Sequence, residues 1–167
     1  MRSHTLGCEC SRLEDLAIVP MGHHEDVFRT LEMVRKRGLP WWWLYASTCQ
    51  ACGQTWLVAQ EERQNDLFIL RRLDQVASDR LLRDGIWPVE FDRYERLLVI
   101  GRDAGHSVRF FDVADCPLIH TVIDSAREQP GIRVSELASL LNLNPAVARD
   151  LARQAVERAG VTISGSN

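Results

Sequence analysis

The feature that most constrains this chain is a Cys-x-x-Cys-Gly segment between two apolar runs, formed by Cys49, Cys52 and Gly53. A turn of this kind brings two thiolates to one metal ion. Gly53 allows the positive φ that lets backbone N–H groups point back toward the sulfurs. A second pair, Cys8 and Cys10, lies near the N-terminus. Because Zn²⁺ takes four such ligands in a tetrahedron, the four cysteines predict one zinc site.

Two alternatives to a four-cysteine site stay open. Histidine also binds Zn²⁺, and three histidines could replace one of the N-terminal cysteines: His4, His23 and His24. The other alternative is that the cysteines are reduced, buried thiols. Four protein ligands leave no position for water or substrate, so the predicted site is structural and fastens the N-terminal segment to a sheet. The fifth cysteine, Cys116, is interpreted as a small buried residue at the start of a helix.

Composition and charge limit the class of protein. Hydrophobic residues make up 46% of the 167 residues, which is enough for a core, and the net charge is −3. That charge argues against a generally basic nucleic-acid-binding protein. No apolar run approaches the roughly 20 residues of a membrane span, and the first residues lack the apolar core of a signal peptide. Cysteine pairs without an export signal indicate a reducing compartment, so we expect a cytoplasmic protein that contacts no membrane.

Residues 1–113 have the pattern of a zinc-stabilised α+β domain. Strand-like apolar runs surround the cysteines over three ranges: 41–47, 54–59 and 67–70. Helical spacing of apolar residues predicts helices over three others: 26–37, 73–83 and 91–100. Weak alternation predicts a last strand over 107–113. The expected fold is a small zinc-ribbon-like antiparallel sheet with flanking helices.

Residues 114–167 are predicted to form a separate unit of three helices that resembles a helix-turn-helix. The helices are predicted over 115–129, 135–141 and 146–159, with Ser135 as an N-cap and Gly160 as a stop. Asn142 stands in the turn between the last two helices, and Asn tolerates the left-handed conformation that such a turn requires. The unit is expected to follow the α+β domain as a C-terminal module.

A DNA-binding transcriptional regulator is the alternative that this C-terminal unit raises. In that case residues 144–153 form the recognition helix, and Arg149 and Arg153 contact bases. The window 135–159 contains three arginines and three acids, so it carries no net charge. Because phosphate neutralisation supplies much of the affinity for DNA, a neutral unit is more typical of packing or protein binding.

The rest of the chain has no enzyme signature. The sequence has no nucleophile elbow and no phosphate-binding loop, and His23 and His24 lack the i, i+4 spacing of a helical zinc protease. The polar run 60–66 is interpreted as a solvated turn or a binding surface. Its acidic residues are the candidate partner-binding residues: Glu61, Glu62 and Asp66.

The cysteine pattern resembles that of small bacterial immunity proteins of interbacterial toxin systems. The shared features are paired N-terminal cysteines, a tryptophan-rich strand and a Cys-x-x-Cys-Gly-Gln-x-Trp motif, here Cys49, Cys52, Gly53, Gln54 and Trp56. The resemblance covers about 50 residues. It implies a cytoplasmic, non-enzymatic protein that blocks one toxin domain by direct binding, and it transfers no binding residues. The acidic run 61–66 would suit a basic nuclease toxin, because complementary charge favours association.

Overall fold

The computed structural model describes residues 7–22, 25–37, 43–108 and 117–166. These residues form an α+β fold built on a five-stranded antiparallel sheet, which confirms the predicted fold class. The strands are β1 (Leu16–Pro20), β2 (Leu31–Lys36), β3 (Leu44–Cys49), β4 (Thr55–Glu61) and β5 (Leu67–Arg72). Their order across the sheet is β1-β5-β4-β3-β2, so β1 and β2 are the edges and β4 lies in the middle.

The three predicted strands around the cysteines are present as β3, β4 and β5. They pair in sequence order, with Tyr45 opposite Val58 and Val58 opposite Leu70. Apolar residues occupy both faces of β4, where Trp56, Leu57 and Val58 are fully buried. Such a continuous apolar run is typical of a strand that is covered on both sides.

The helix predicted over 26–37 is wrong. The structure has a short 3₁₀ helix, Glu25–Thr30, followed by β2. Leu31 pairs with Cys49 and Lys36 pairs with Tyr45, so the open edge of β3 supplies the backbone hydrogen bonds that a helix would have made internally. Tertiary pairing therefore outweighs the apolar spacing in this segment, as it often does for short apolar runs.

Two predicted helices of the N-terminal region are confirmed as α1 (Gln75–Asp84) and α2 (Tyr94–Asp103). The Asp74 side chain accepts the N–H of Ala77 at 2.7 Å and caps α1, and Gly85 ends it at φ 71°. A short 3₁₀ helix, Val89–Phe91, precedes α2. Helix α2 extends beyond the predicted end at residue 100, and Gly101 lies inside it against Val108.

The C-terminal region contains three helices, as predicted: α3 (Pro117–Glu128), α4 (Val134–Leu140) and α5 (Pro145–Ala159). Two short parallel strands, β6 (Ile132–Arg133) and β7 (Ile163–Ser164), flank α4 and α5. Asn142 has a φ of 54°, which confirms the left-handed turn between α4 and α5. Ser135 is not the N-cap of α4, since Arg133 takes that position and donates its backbone N–H to Glu136 at 2.9 Å.

The sheet separates two apolar clusters. Leu57 and Ala59 face the helices and belong to a large core that also contains residues of α2, α3, α4 and α5. Trp56 and Val58 face the opposite side, where they pack with cysteines and with residues of the N-terminal segment. Residues from both predicted domains thus share one core, and the predicted boundary after residue 113 lies outside the described residues.

Several other predictions also fall wholly or partly outside the described ranges. They concern the strand 107–113 beyond residue 108, and the side chains of His4, His23, His24, Trp41, Trp42 and Cys116. Within the described ranges, no helix has the length and apolar character needed to cross a membrane.

Candidate metal centre

The structure brings together the four predicted cysteines. Cys8, Cys10, Cys49 and Cys52 lie on the sheet face away from the helices, and their Sγ atoms are all within 4.8 Å of one another. All four are free thiols. Cys10 and Cys49 are buried, Cys8 is half-buried and Cys52 is exposed. The cluster can therefore hold one metal ion at the end of the β3–β4 hairpin.

The turn between β3 and β4 is shaped by its own backbone. Cys49 donates its N–H to the carbonyl of Gln54 at 2.9 Å, and Gly53 donates to the carbonyl of Cys49 at 2.8 Å. Gly53 has a φ of 76°, which confirms the need for glycine. Backbone N–H groups of Ala51 and Cys52 point at the Cys49 sulfur, and that of Gln54 points at the Cys52 sulfur. These donors stabilise negative charge on the sulfurs of Cys49 and Cys52 independently of Cys8 and Cys10.

The second pair is carried by the N-terminal arm, which we define as residues 7–15. Arg12 donates its backbone N–H to the carbonyl of Glu9 at 2.9 Å, so the arm turns directly after the cysteines. Trp56 lies on the central strand β4, and its indole Nε1–H donates to Cys10 Sγ over 3.3 Å. Cys10 is only 5% exposed, and this contact satisfies a buried indole N–H that would otherwise be unpaired.

Arg72 holds the N-terminal arm on the sheet. Its Nη2 donates to the carbonyls of Cys10 and Leu13 at 2.8 and 2.6 Å, and its Nε lies 3.0 Å from an Asp15 carboxylate oxygen. The guanidinium stacks over the Trp56 ring at 4.5 Å from the centroid. A single side chain at the end of β5 thus places the cysteine pair of the arm above the β3–β4 turn.

Thr30 adds a hydroxyl to the cluster. Its Oγ1 lies 3.3 Å from Cys49 Sγ, and its carbonyl accepts the N–H of Gln50 at 2.8 Å. Burial raises the pKa of the Cys49 thiol, but the Thr30 hydroxyl and the N–H groups of Cys52 and Ala51 outweigh burial and lower that pKa to about 6. Cys49 is therefore the cysteine best prepared to be a thiolate near neutral pH.

The thiols of Cys10 and Cys52 favour the protonated form when no metal is bound. Burial raises the pKa of the Cys10 thiol to about 12, although the Trp56 N–H opposes this change. The pKa of Cys52 is lowered by the Gln54 backbone N–H, but burial and the neighbouring sulfurs outweigh that effect and raise it overall. A thiolate at Cys49 beside protonated Cys10 and Cys52 is the arrangement expected of crowded sulfurs, since like charges at this distance repel. A divalent cation would reverse this balance.

The four cysteines could be identified from the sequence, but the groups that support them could not. Two of these groups, the Trp56 Nε1–H and Arg72, are far along the chain from the N-terminal arm. The third, Thr30, lies in the segment 26–37, which was wrongly predicted to be a helix. The Gln-x-Trp part of the cysteine motif did point to Trp56. No local pattern marks Arg72, which contacts Cys10 from 62 positions away.

Glu61 is not part of a solvated acidic surface, contrary to the prediction. It is 2% exposed and faces the helices. Its carboxylate accepts the backbone N–H groups of Arg63, Gln64 and Asn65 at 2.8 to 3.0 Å, and the hydroxyl of Tyr94 at 2.9 Å. A carboxylate with four donors can be buried without a cation, so Glu61 fixes the β4–β5 turn against α2.

The two other acidic residues are exposed. Glu62 accepts an N–H from the Gln60 side chain at 3.0 Å, and Asp66 adopts a φ of 53° at the end of the turn. Arg63 lies between them and points inward, with its guanidinium 5.7 Å from the Trp43 ring centroid and its Nη1 donating to the carbonyl of Leu141. The exposed acidic surface is therefore reduced to Glu62 and Asp66, and their role as partner contacts stays a prediction.

The candidate DNA-contacting arginines lie on the exposed face of α5. Arg149 and Arg153 are both exposed, and Arg153 pairs with Asp150 at 3.1 Å. Asn144 caps the helix by accepting the N–H of Ala146 at 2.9 Å, with Pro145 in the first turn. Positive charge on this face is thus partly balanced within the helix.

Comparison of the chain with protein-family models, with curated proteins and with solved structures finds no match.

Proposed function

We propose that this chain is a non-enzymatic binding protein whose N-terminal arm is fastened by a structural zinc ion. The convergence of four cysteine sulfurs within 4.8 Å carries the proposal. Thiolates favour Zn²⁺ in closed four-coordinate sites, and four protein ligands leave no position for a substrate. Zinc would offset half of the charge of the four thiolates and take the place of the protons that Cys10 and Cys52 retain without it.

The geometry of the cluster fits this ion. Zn–S bonds of about 2.3 Å in a tetrahedron place sulfurs about 3.8 Å apart. Sulfurs that lie within 4.8 Å of one another need to approach by at most about 1 Å to reach this spacing. Supporting N–H donors are already in place from Trp56 and from the turn backbone. The free state of all four thiols also fits the proposed cytoplasmic location, where disulfides are rare.

Metal content after purification without added zinc tests this proposal. We expect about one zinc per chain by mass spectrometry of the native protein, because one four-cysteine site holds one ion. Cys49→Ser should lose the metal together with stability to urea. Cys116→Ser is the matched control and should retain both, since four ligands complete the tetrahedron without it. A well-folded wild-type protein that contains no metal would contradict the proposal.

The partner that we propose is a cognate bacterial toxin domain, which the chain would neutralise by direct binding. The support is the resemblance of the cysteine and tryptophan pattern to immunity proteins. The exposed acids Glu62 and Asp66 are compatible with a basic toxin surface. A metal centre without an open coordination position is consistent with a scaffold that presents a surface rather than with a catalyst.

Co-expression with a toxin domain encoded beside the gene tests the partner. We expect growth to be restored by the wild-type chain and the two proteins to co-purify. Glu62→Lys with Asp66→Lys should weaken the complex if the acidic surface contacts the toxin, whereas the distant pair Asp124→Lys with Glu128→Lys should not. Failure of the wild-type chain to bind or to neutralise the adjacent toxin would refute the immunity function.

The second candidate is a DNA-binding regulator, which the pairing of α4 and α5 around left-handed Asn142 favours. In this case, duplex binding should weaken steeply with salt and be lost in Arg149→Ala with Arg153→Ala. Arg127→Ala on α3 removes the same kind of charge away from the proposed recognition helix, so it should leave binding intact. Absence of duplex binding at low salt would exclude this candidate.

A further inference from the structure

A cavity of about 420 Å³ opens between the end of β5, the first turns of α1 and the segment that follows α1. This volume lies within the roughly 300 to 1,000 Å³ of small-molecule sites. Arg72 reaches the wall of the cavity, but its guanidinium is bound to the N-terminal arm. Arg71 precedes it on the strand, so its side chain emerges on the other face of the sheet. The cavity is therefore distinct from the cysteine cluster.

Two further arginines supply positive charge to this cavity. The Arg71 Nε atom is buried and has no hydrogen-bond partner in the part of the chain that the structure describes. Arg80 projects from α1 into the same space, and neither arginine belongs to an ion pair among the described residues. In contrast, Arg83 on the same helix pairs with Asp79 at 3.4 Å. A buried donor without an acceptor is costly, so an incoming anion would relieve this cost.

The acidic residues at the cavity do not neutralise the charge of Arg71 and Arg80. Asp74 and Glu90 also line it, but neither is within ion-pair distance of Arg71 or Arg80 in the described structure. One oxygen of Asp74 already accepts the N–H of Ala77 as the cap of α1. Guanidinium groups bind carboxylates through paired N–H donors, so these two arginines form the polar side of a site for an anion.

An apolar wall faces the arginines. Ile86, Trp87 and Val89 line the cavity, and Ile86 and Val89 are 49% and 68% exposed. This wall is held in place from behind, because Phe91 is fully buried and Arg96 donates to the carbonyl of Val89 at 2.7 Å. The wall is thus formed before any ligand arrives, which limits the entropy lost on binding.

We propose that this cavity binds a small organic anion with a flat apolar body, such as an aromatic carboxylate. The anionic group binds Arg71 and Arg80, and the apolar body lies against Trp87 and its neighbours. The proposal does not depend on the zinc site or on the identity of a protein partner.

Titration of the purified full-length protein with phenylacetate tests the proposal, with the Trp87 indole N–H as the NMR reporter. A fragment of this size is expected to bind with a Kd on the order of 1 mM. Arg71→Gln and Arg80→Gln should each raise the Kd about tenfold or more. Arg80 is exposed, so its variant should fold normally even if Arg71→Gln does not. Arg83→Gln, one turn along α1, is the control and should leave the Kd unchanged.

Two further ligands separate the contributions of charge and of the apolar body. The neutral analogue 2-phenylethanol and inorganic phosphate should each bind at least tenfold more weakly than phenylacetate. Equal binding of 2-phenylethanol, equal binding of phosphate, or no shift of the Trp87 signal with phenylacetate at tens of millimolar would each overturn the proposal. An Arg80→Gln variant that binds as wild type would overturn it as well.

Discussion

Arg72 is predicted to be the residue that couples the metal centre to the sheet. Replacing it by Met keeps most of the aliphatic length but removes the charge and all the donors. Two donors bind the carbonyls of Cys10 and Leu13 at 2.8 and 2.6 Å, and the guanidinium stacks on Trp56 at 4.5 Å. Because the Arg72 side chain is 27% exposed, we use low values for the free energies of its hydrogen bonds and of its stacking on Trp56.

The expected cost follows from these contacts. A hydrogen bond from a charged donor contributes about 1.5 kcal/mol at the low end, and cation–π stacking adds about 0.5 kcal/mol. The ion pair with Asp15 adds little, because the Asp15 side chain is 87% exposed. Arg72→Met should therefore lower the free energy of unfolding by about 3.5 kcal/mol. If metal binding requires the docked arm, zinc affinity should fall by roughly 300-fold.

Urea unfolding of the metal-loaded protein and a chelator competition assay measure the two effects separately. Asp15→Asn is the matched control and should cost less than about 0.5 kcal/mol, since it removes only the exposed ion pair. If Arg72→Met unfolds at the same urea concentration as Asp15→Asn and retains its zinc, the arm is held by other contacts and the assignment to Arg72 is wrong.

Three other predictions concern buried or strained positions. Glu61→Gln should lower the free energy of unfolding in urea by about 3 kcal/mol, because the amide cannot accept all the N–H and O–H donors around it. The exposed control Glu62→Gln should cost under about 0.5 kcal/mol. Equal costs for the two variants would contradict the role of the buried carboxylate. Asn142→Val should cost about 1 to 2 kcal/mol through its left-handed φ of 54°, while Asn142→Gly should be nearly neutral, and the reverse order would refute the strain. The lowered pKa of Cys49 stabilises the metal-free fold above the ordinary thiol value of 9.0, and this contribution is lost as the pH falls toward about 6. Urea unfolding of chelated protein should show this trend, and Cys49→Ala should remove it from the pH profile.

The elements predicted well are those set by local chemistry. The cysteine turn, the strands beside it and the helices α1, α3 and α5 follow from apolar spacing and from glycine, proline and cap residues near each end. β2 was missed because its apolar spacing also fits a helix, and only the open edge of β3 decides between the two. Strand pairing is a contact between distant segments, and no window of the sequence contains it.

In the candidate site, too, local features could be predicted and contacts between distant segments could not. The four cysteines could be identified because metal ligands of one type recur at short spacing. The burial of Glu61 could not be inferred, since a carboxylate in a polar run is usually solvated and its donors include Tyr94, 33 positions away. The roles of Arg72 and Thr30 could not be inferred for the same reason, because each depends on a contact with a segment that is distant in the sequence.

The position of β1 gives the proposed metal ion a further consequence. β1 follows the N-terminal arm directly and covers the outer edge of β5 from Leu67 to Arg71. If chelation frees the arm, β1 can detach with it, and the apolar strand Leu67–Arg72 would become an open edge. Open apolar edges pair with other chains and begin aggregation. We therefore expect zinc depletion to appear first as concentration-dependent association, before any loss of the helical core.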